Sequence, residues 1–285
     1  MDLTFDRKKG CMYGLAIGDA LGAAVEFKSP GDFEPITGYC GDGPHGLLPG
    51  QWTDDTSMAL ALADSIGSVG WDLKDQLERY CKWYKDGKYS INNICFDIGN
   101  TTRKALNNFL ATGETNALGI VVGTNGSIMR LAPVVIKYLD DPNLLNYVEE
   151  SSKTTHTNLF CIESCKMLGQ ILRDFIWGRE EIDISKDDYP LIGNIIDECK
   201  LEEINIPSMG LADTTLKAAM WSFAHSKDFE ETVLKAVNLG GDTDTIGAVA
   251  GQIAGAYWGY SSIPQHLIDG LSRKDKIDKY LTPIL

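Results

Sequence analysis

Gly10-Cys11-Met12-Tyr13-Gly14-Leu15-Ala16-Ile17-Gly18-Asp19-Ala20-Leu21-Gly22 reads as a helix with glycine at every fourth position. Gly247, Gly251, Gly255 and Gly259 repeat the pattern near the other end of the chain. Each glycine inside a helix costs about 1 kcal/mol relative to alanine, so two such ridges need a compensating close approach of backbones. Small residues at this spacing also occur in membrane helices, but Asp19, Tyr13, Gln252 and Tyr257 on these segments suit a soluble core better. Both helices are therefore expected to lie centrally and pack closely, with each other as a candidate pair. That would bring the segment before the second ridge next to whatever packs around the first.

Outward from the ridges the periodicity stays helical. Met58-Ala59-Leu60-Ala61-Leu62-Ala63, Leu159 to Trp177 and Leu216 to Phe223 carry apolar residues at helical spacing, and only Ile120-Val121-Val122 is ambiguous between helix and strand. The expectation is an all-α fold: a single compact multi-helix domain over residues 1–285, of ten or more helices, with a di-metal site near its centre. A composition of 44% hydrophobic and 23% charged residues is long and apolar enough for a large core.

The formal net charge is -14, with 40 acidic against 26 basic residues. This excludes the basic footprint of a nucleic-acid binder. A phosphate-bearing small molecule stays admissible if local dipoles or metal ions supply positive field. The seven cysteines are odd in number and form no Cys-x-x-Cys pair, which argues against a disulfide framework or zinc site. No apolar run approaches the roughly 20 residues of a membrane span. Met1 to Lys9 is charged and unlike a signal peptide. No membrane partner, a cytoplasmic location and a monomer are the corresponding expectations.

Two clusters carry the chemistry. Gly50-Gln51-Trp52-Thr53-Asp54-Asp55-Thr56 precedes an apolar helix, and Gly240-Gly241-Asp242-Thr243-Asp244-Thr245 precedes the second glycine ridge. Thr or Asp at a helix start is explained equally well by capping. Together, however, the clusters would gather four carboxylates that repel each other unless cations neutralise them. Oxygen donors without cysteine suit hard ions, Mg²⁺ first and Mn²⁺ second. Two ions sharing an Asp would clamp substrate oxygens between them. An Asp-x-Asp alone is also found in nucleotide-sugar transferases and phosphohydrolases.

Taken in order, these motifs resemble the ADP-ribosylglycohydrolase family, which includes the dinitrogenase-reductase-activating glycohydrolase and the ADP-ribosylarginine hydrolases. The resemblance rests on Gly14 to Gly22 with Val25-Glu26-Phe27, on Trp52 to Thr56, and on Asp97-Ile98-Gly99-Asn100-Thr101-Thr102. Asn125-Gly126-Ser127-Ile128-Met129-Arg130-Leu131-Ala132-Pro133, Thr155-His156, Asp213 to Ala219 and Gly240 to Thr245 complete it.

The resemblance implies two divalent cations on Thr53, Asp54, Asp55, Asp242, Asp244 and Thr245. Glu26, Asp55 and Asp97 are the implied catalytic carboxylates: Glu26 at the site mouth, Asp97 activating water or binding a departing guanidinium. Asp97 could equally cap the helix Thr101 to Leu110. Gly99, Asn100, Gly123, Asn125, Gly126, Ser127 and His156 are the implied substrate contacts, with Gly123 to Ser127 cradling a pyrophosphate at a helix start. His45, His225 and His266 are read as structural. The sequence departs from the family at Thr124, where a Gly is usual, and at Leu211, where many arginine-directed members carry Tyr. The implied substrate is an ADP-ribosylated protein, with arginine as acceptor, or a small ADP-ribose conjugate. Alternatives are serine-linked ADP-ribose, O-acetyl-ADP-ribose, a non-catalytic ADP-ribose binder, or a pyrophosphate-cleaving hydrolase.

Overall fold

Asp2 opens the first helix by accepting the Thr4 amide at 3.0 Å, and the helix then runs six turns to the end of the glycine ridge. The computed structural model describes residues 2–119, 121–203 and 210–285. In chain order its helices are α1 (Leu3–Gly22), α2 (Asp54–Val69), α3 (Leu73–Asp86), α4 (Asn100–Thr112), α5 (Ala132–Lys137), α6 (Leu144–Lys153) and α7 (Leu159–Ile176). They continue as α8 (Ile195–Glu198), α9 (Ala212–Ala224), α10 (Phe229–Val237), α11 (Thr243–Trp258), α12 (Gln265–Gly270) and α13 (Lys274–Leu281). The fold is all-α, and the described residues hold no strand, only the isolated bridges Asp42–Leu47 and Thr124–Leu211. Val121 and Val122 lie in irregular backbone, while Ile120 falls outside the described residues.

The two glycine ridges pack on each other, antiparallel. A Cβ on Gly14 would lie 2.0 Å from the Gly251 carbonyl oxygen, one on Gly18 1.9 Å from that of Gly247, and one on Gly255 2.0 Å from that of Gly10. Backbone meets backbone, so only hydrogen fits in the seam. Nearly every residue of α1 beyond Gly10, and of α11 before Tyr257, is buried. The remaining helices wrap this pair: α7, α9 and α10 lie on α11, α2 touches both members of the pair as well as α3, and α5 packs against α1, α2, α6 and α7. α3 shows how the outer layer is cut to length. Asp72 accepts the Lys74 and Asp75 amides at its start, and left-handed Gly87 returns its N–H to Trp83 at its end.

Antiparallel packing puts the C-terminal end of α1 beside the N-terminal end of α11, where Thr243 Oγ1 donates to the Gly22 carbonyl at 2.8 Å. Asp19, one turn back on α1, then reaches the start of α2. It accepts from the Thr53 and Thr56 amides and from both their hydroxyls at 2.6–3.0 Å. One buried carboxylate thus joins the first ridge to the first Asp motif.

Candidate metal centre and active site

Capping does not explain the two Asp motifs. Thr53 is the N-cap of α2 and Asp242 the N-cap of α11, yet neither side chain accepts from its own helix. Thr53 Oγ1 instead lies 3.0 Å from Asp19, 3.3 Å from Asp55 and 3.1 Å from Asp244. A hydroxyl has one proton, so it can donate to only one of these three carboxylates. Asp55 is fully buried and its Oδ1 has no hydrogen-bond partner among the described residues. Burial first, then neighbouring carboxylates, push Asp54, Asp55 and Asp244 well above the usual carboxylate range.

Such a group is short of positive charge. Glu26, Asp242 and Asp244 bring carboxylate oxygens within 4.8 Å of one another, as do Asp54, Asp97 and Asp244. An all-oxygen, strongly anionic donor set with an orphaned buried oxygen fits hard divalent cations. Thr53, Asp54, Asp55, Asp242, Asp244 and Thr245 all belong to this one locus, at the N-termini of α2 and α11.

In front of it opens a cavity of about 550 Å³. Asp54, Asp242, Asp244 and Thr245 line it at the metal locus, with Glu26, Asp97, Gly99, Asn100, Asn125, Gly126 and His156 among its walls. Phe27, Val121 and Val122 give it an exposed apolar rim. Asp97 is not a helix cap: Gly99 occupies that position on α4, and Asp97 sits two residues earlier in the left-handed region at φ 59°. Such a backbone is uncommon outside glycine, Asn and Asp, and here it accompanies a carboxylate facing the cavity.

The Gly123–Ser127 segment reaches the cavity through Thr124, Asn125 and Gly126. It does not start a helix, since α5 begins only at Ala132. The Asn125 amide is taken by the Gly210 carbonyl at 3.1 Å, and the Ala212 amide by the Gly123 carbonyl at 2.9 Å. The Ser127 hydroxyl faces away from the cavity, towards Ser152 at 3.0 Å and Cys165 at 3.4 Å. Gly123 is likewise not part of the wall, and its neighbours Val122 and Thr124 are.

Asn125 serves the metal locus directly, donating from Nδ2 to Asp242 Oδ2 at 2.7 Å and reaching Thr215 Oγ1 at 3.0 Å. Gly126 has no side chain because His156 stands where a Cβ would be, with Cε1 at 2.9 Å. His156 is held between Thr155 Oγ1 and Thr124 Oγ1. Burial and the nearby Arg130 guanidinium lower its pKa to about 3, so it faces the cavity as a neutral ring. The two departures from the family pattern meet here: Thr124 and Leu211 pair in one of the isolated bridges, and the Thr124 hydroxyl ties His156 to Thr101.

Sequence reasoning assigned His45 to structure alone, and the coordinates place it at the site. Its Nε2 lies 2.8 Å from Glu26 Oε2 and 3.3 Å from Asp97 Oδ1. Those two carboxylates push the imidazole up to about 10, while burial holds Glu26 up to about 7. His225 and His266 stay remote, bonded to the Trp221 carbonyl and Glu230. All seven cysteines are free, and no helix among the described residues is long and apolar enough to cross a membrane.

Residues 1–284 match the sequence profile described as ADP-ribosylglycohydrolase. The chain belongs to the ADP-ribosylglycohydrolase family. It is 39% identical over 287 residues to the ADP-ribosylarginine hydrolase Tri1 of Serratia proteamaculans, covering 96% of this chain and 77% of that protein. It is 32% identical to the ADP-ribosyl-[dinitrogen reductase] glycohydrolase of Rhodospirillum rubrum, over 94% of this chain and 91% of the relative. A solved structure titled ADP-ribosylglycohydrolase-related protein complex superposes with a TM-score of 0.87 at 37% identity, over 100% of this chain and 98% of that one.

Proposed function

We propose that this protein is a metal-dependent ADP-ribosyl hydrolase that cleaves the N-glycosidic bond between ADP-ribose and an arginine side chain on a protein. The observation that carries the reading is the convergence of both Asp motifs, Glu26 and Asp97 on one 550 Å³ cavity, in a chain 39% identical to an ADP-ribosylarginine hydrolase. That volume falls within the range of about 300–1,000 Å³ typical of small-molecule sites. The leaving group is cationic when protonated, and an opening flanked by Glu26 and Asp97 is electrostatically suited to it.

Glycoside cleavage passes through an oxocarbenium-like state, so charge-stabilising carboxylates and a positioned water lower the barrier. Asp97, held towards the cavity by its left-handed backbone, is the general base that takes the proton of the attacking water, with Asp55 the second candidate. Glu26 faces the departing guanidinium across the mouth. Asn125 fixes the Asp242 carboxylate through its 2.7 Å bond, and the neutral His156 ring packs beside the substrate loops without adding charge. Two divalent cations, Mg²⁺ in first place and Mn²⁺ in second, supply Lewis-acid charge for the ribose hydroxyls when bound to the Asp clusters.

The test is release of ADP-ribose from ADP-ribosyl-arginine with Mg²⁺, with Mn²⁺ and with chelator, run beside serine-linked and O-acetyl conjugates. Metal-dependent release from arginine is the expected result. Release only from another conjugate would move the acceptor assignment, and AMP as product would place the cut at the pyrophosphate and overturn the reading.

A further inference from the structure

Glu26 and Asp97 meet at the cavity from segments far apart in sequence, one after α1 and one before α4, and nothing in their own segments holds them together. Each sits beside or on an unusual backbone: Phe27 has φ 64° and Asp97 φ 59°. Two carboxylates this close repel each other unless a donor stands between them. His45 is that donor. It is carried by a short loop closed by reciprocal backbone bonds, Asp42 N to Leu47 O at 2.7 Å and Leu47 N to Asp42 O at 3.0 Å. The loop rests on the end of α1, where left-handed Gly43 leaves no room for a Cβ, which would lie 2.5 Å from the Ala23 carbonyl oxygen. The ring is braced from the side by Phe96, centroid to centroid 5.4 Å. Glu26 and Asp97 line the cavity and His45 does not.

We propose that His45 is a positioning residue of the active site: its Nε2–H clasps Glu26 Oε2 and Asp97 Oδ1 and fixes the two wall carboxylates in the geometry from which they act on substrate. The inference rests on the proposed hydrolase reading. With no ion between them, a nitrogen facing two carboxylate oxygens at these distances is the donor of the contact. The ring hydrogen-bonds Glu26 at 2.8 Å and pairs electrostatically with Asp97 at 3.3 Å, so its loss frees both carboxylates at once. Neither would then have a fixed direction, and the water and the departing guanidinium would meet a disordered pair.

The experiment compares His45→Ala and His45→Gln with the wild type in metal-saturated protein. Removing a hydrogen-bonding partner from a ligating or catalytic group typically costs about 10- to 100-fold, and that loss is expected in kcat of His45→Ala. KM and the Kd of ADP-ribose should stay within about two-fold, since the clasp acts on the transition state and not on substrate binding. A Gln side chain can donate to the same oxygens, so His45→Gln should recover much of the rate, and added imidazole should partly rescue His45→Ala. Unchanged kcat in His45→Ala, or equal losses in both variants with no response to imidazole, would overturn the clasp. A turnover-independent readout is the side-chain ¹⁵N resonance of His45, expected to show Nε2 protonated in the wild type and perturbed in Glu26→Ala. If the wild type hydrolyses no conjugate but Nε2 is protonated, the function reading fails and the clasp stands. An unprotonated Nε2 sinks the clasp whatever the activity.

Discussion

Gly18→Ala sets two effects of opposite sign against each other. Alanine is the better helix former by about 1 kcal/mol, so on propensity alone the substitution stabilises. The new Cβ would lie 1.9 Å from Gly247 O, 2.3 Å from its carbonyl carbon and 2.9 Å from the Ala248 amide nitrogen. All three are backbone atoms of a buried helix and cannot turn aside. Relief requires α1 and α11 to part by about 1.5 Å, and a gap of even 0.5–1 Å forfeits a quarter to a half of each dispersion contact along the seam. Overpacking of a tight core costs about 1–3 kcal/mol, occasionally more, and a backbone clash belongs at or above the top of that range. Net of propensity, the loss is about 2–4 kcal/mol, which for a chain of this length lowers Tm by about 4–7 °C. Gly169→Ala on α7 is the control, because its Cβ meets only the movable Val148 Cγ2 at 3.1 Å. It should melt within about 2 °C of wild type, the equivalent of roughly 1 kcal/mol. Differential scanning calorimetry decides the matter. A Gly18→Ala protein that melts at or above wild type would refute the claim that backbone contact is what the glycines provide.

Asp55→Asn should raise Tm of chelator-treated protein, because it removes a buried charge with an unpartnered oxygen, and should abolish the gain on adding Mg²⁺ or Mn²⁺. In the wild type that gain is about 2.7 kcal/mol at a metal concentration 100 times Kd. Thermal shift with and without metal checks both signs, and an equal metal response in the variant would remove Asp55 from the centre. The pH dependence of the metal-stripped protein follows from carboxylates raised in the folded state, with Asp19 at about 6 and Glu26 at about 7. The folded state binds these protons more tightly, so the contribution is present at low pH and is lost as pH rises from about 4 to about 7. Urea unfolding near pH 5 and pH 7.5 should show a smaller stability at the higher value, and saturating metal should cancel the slope. Asn125→Ala leaves Asp242 without its 2.7 Å donor. It should lower kcat by about 10- to 100-fold while Tm moves little, and full activity would show that Asp242 is oriented by other means.

The all-α fold and the meeting of the two Asp motifs were legible because each is written in local patterns. Two four-residue glycine repeats call for a close helix crossing of α1 and α11, and the Asp motif that opens α11 meets the one that opens α2 because Asp19 of α1 holds the start of α2. His45 was not legible. It is a single His in an irregular loop, and its partners lie 19 and 52 positions away in segments with no shared periodicity. In the Gly123–Ser127 loop the helix start was not legible, because a glycine-rich stretch gives no sign that its Asn125 amide pairs with the Gly210 carbonyl and its Ser127 hydroxyl with α6 and α7. Asp97 as a helix cap failed by two residues, the ordinary uncertainty of a helix start.

The glycine seam also sets when the enzyme can come into being. Its two faces stand more than two hundred residues apart in sequence; one of them, α11, opens with half of the ligand set, and the other, α1, holds the other half in place through Asp19. Closing so long a loop is entropically slow and gains nothing until both faces are present. On the ribosome, therefore, a nascent chain can form α3, α6 or α7 as they emerge, while the hydrolase stays inert until α11 has been synthesised. Activity then switches on in one late step, and a chain interrupted before Asp242 carries half a metal site with nothing to close it.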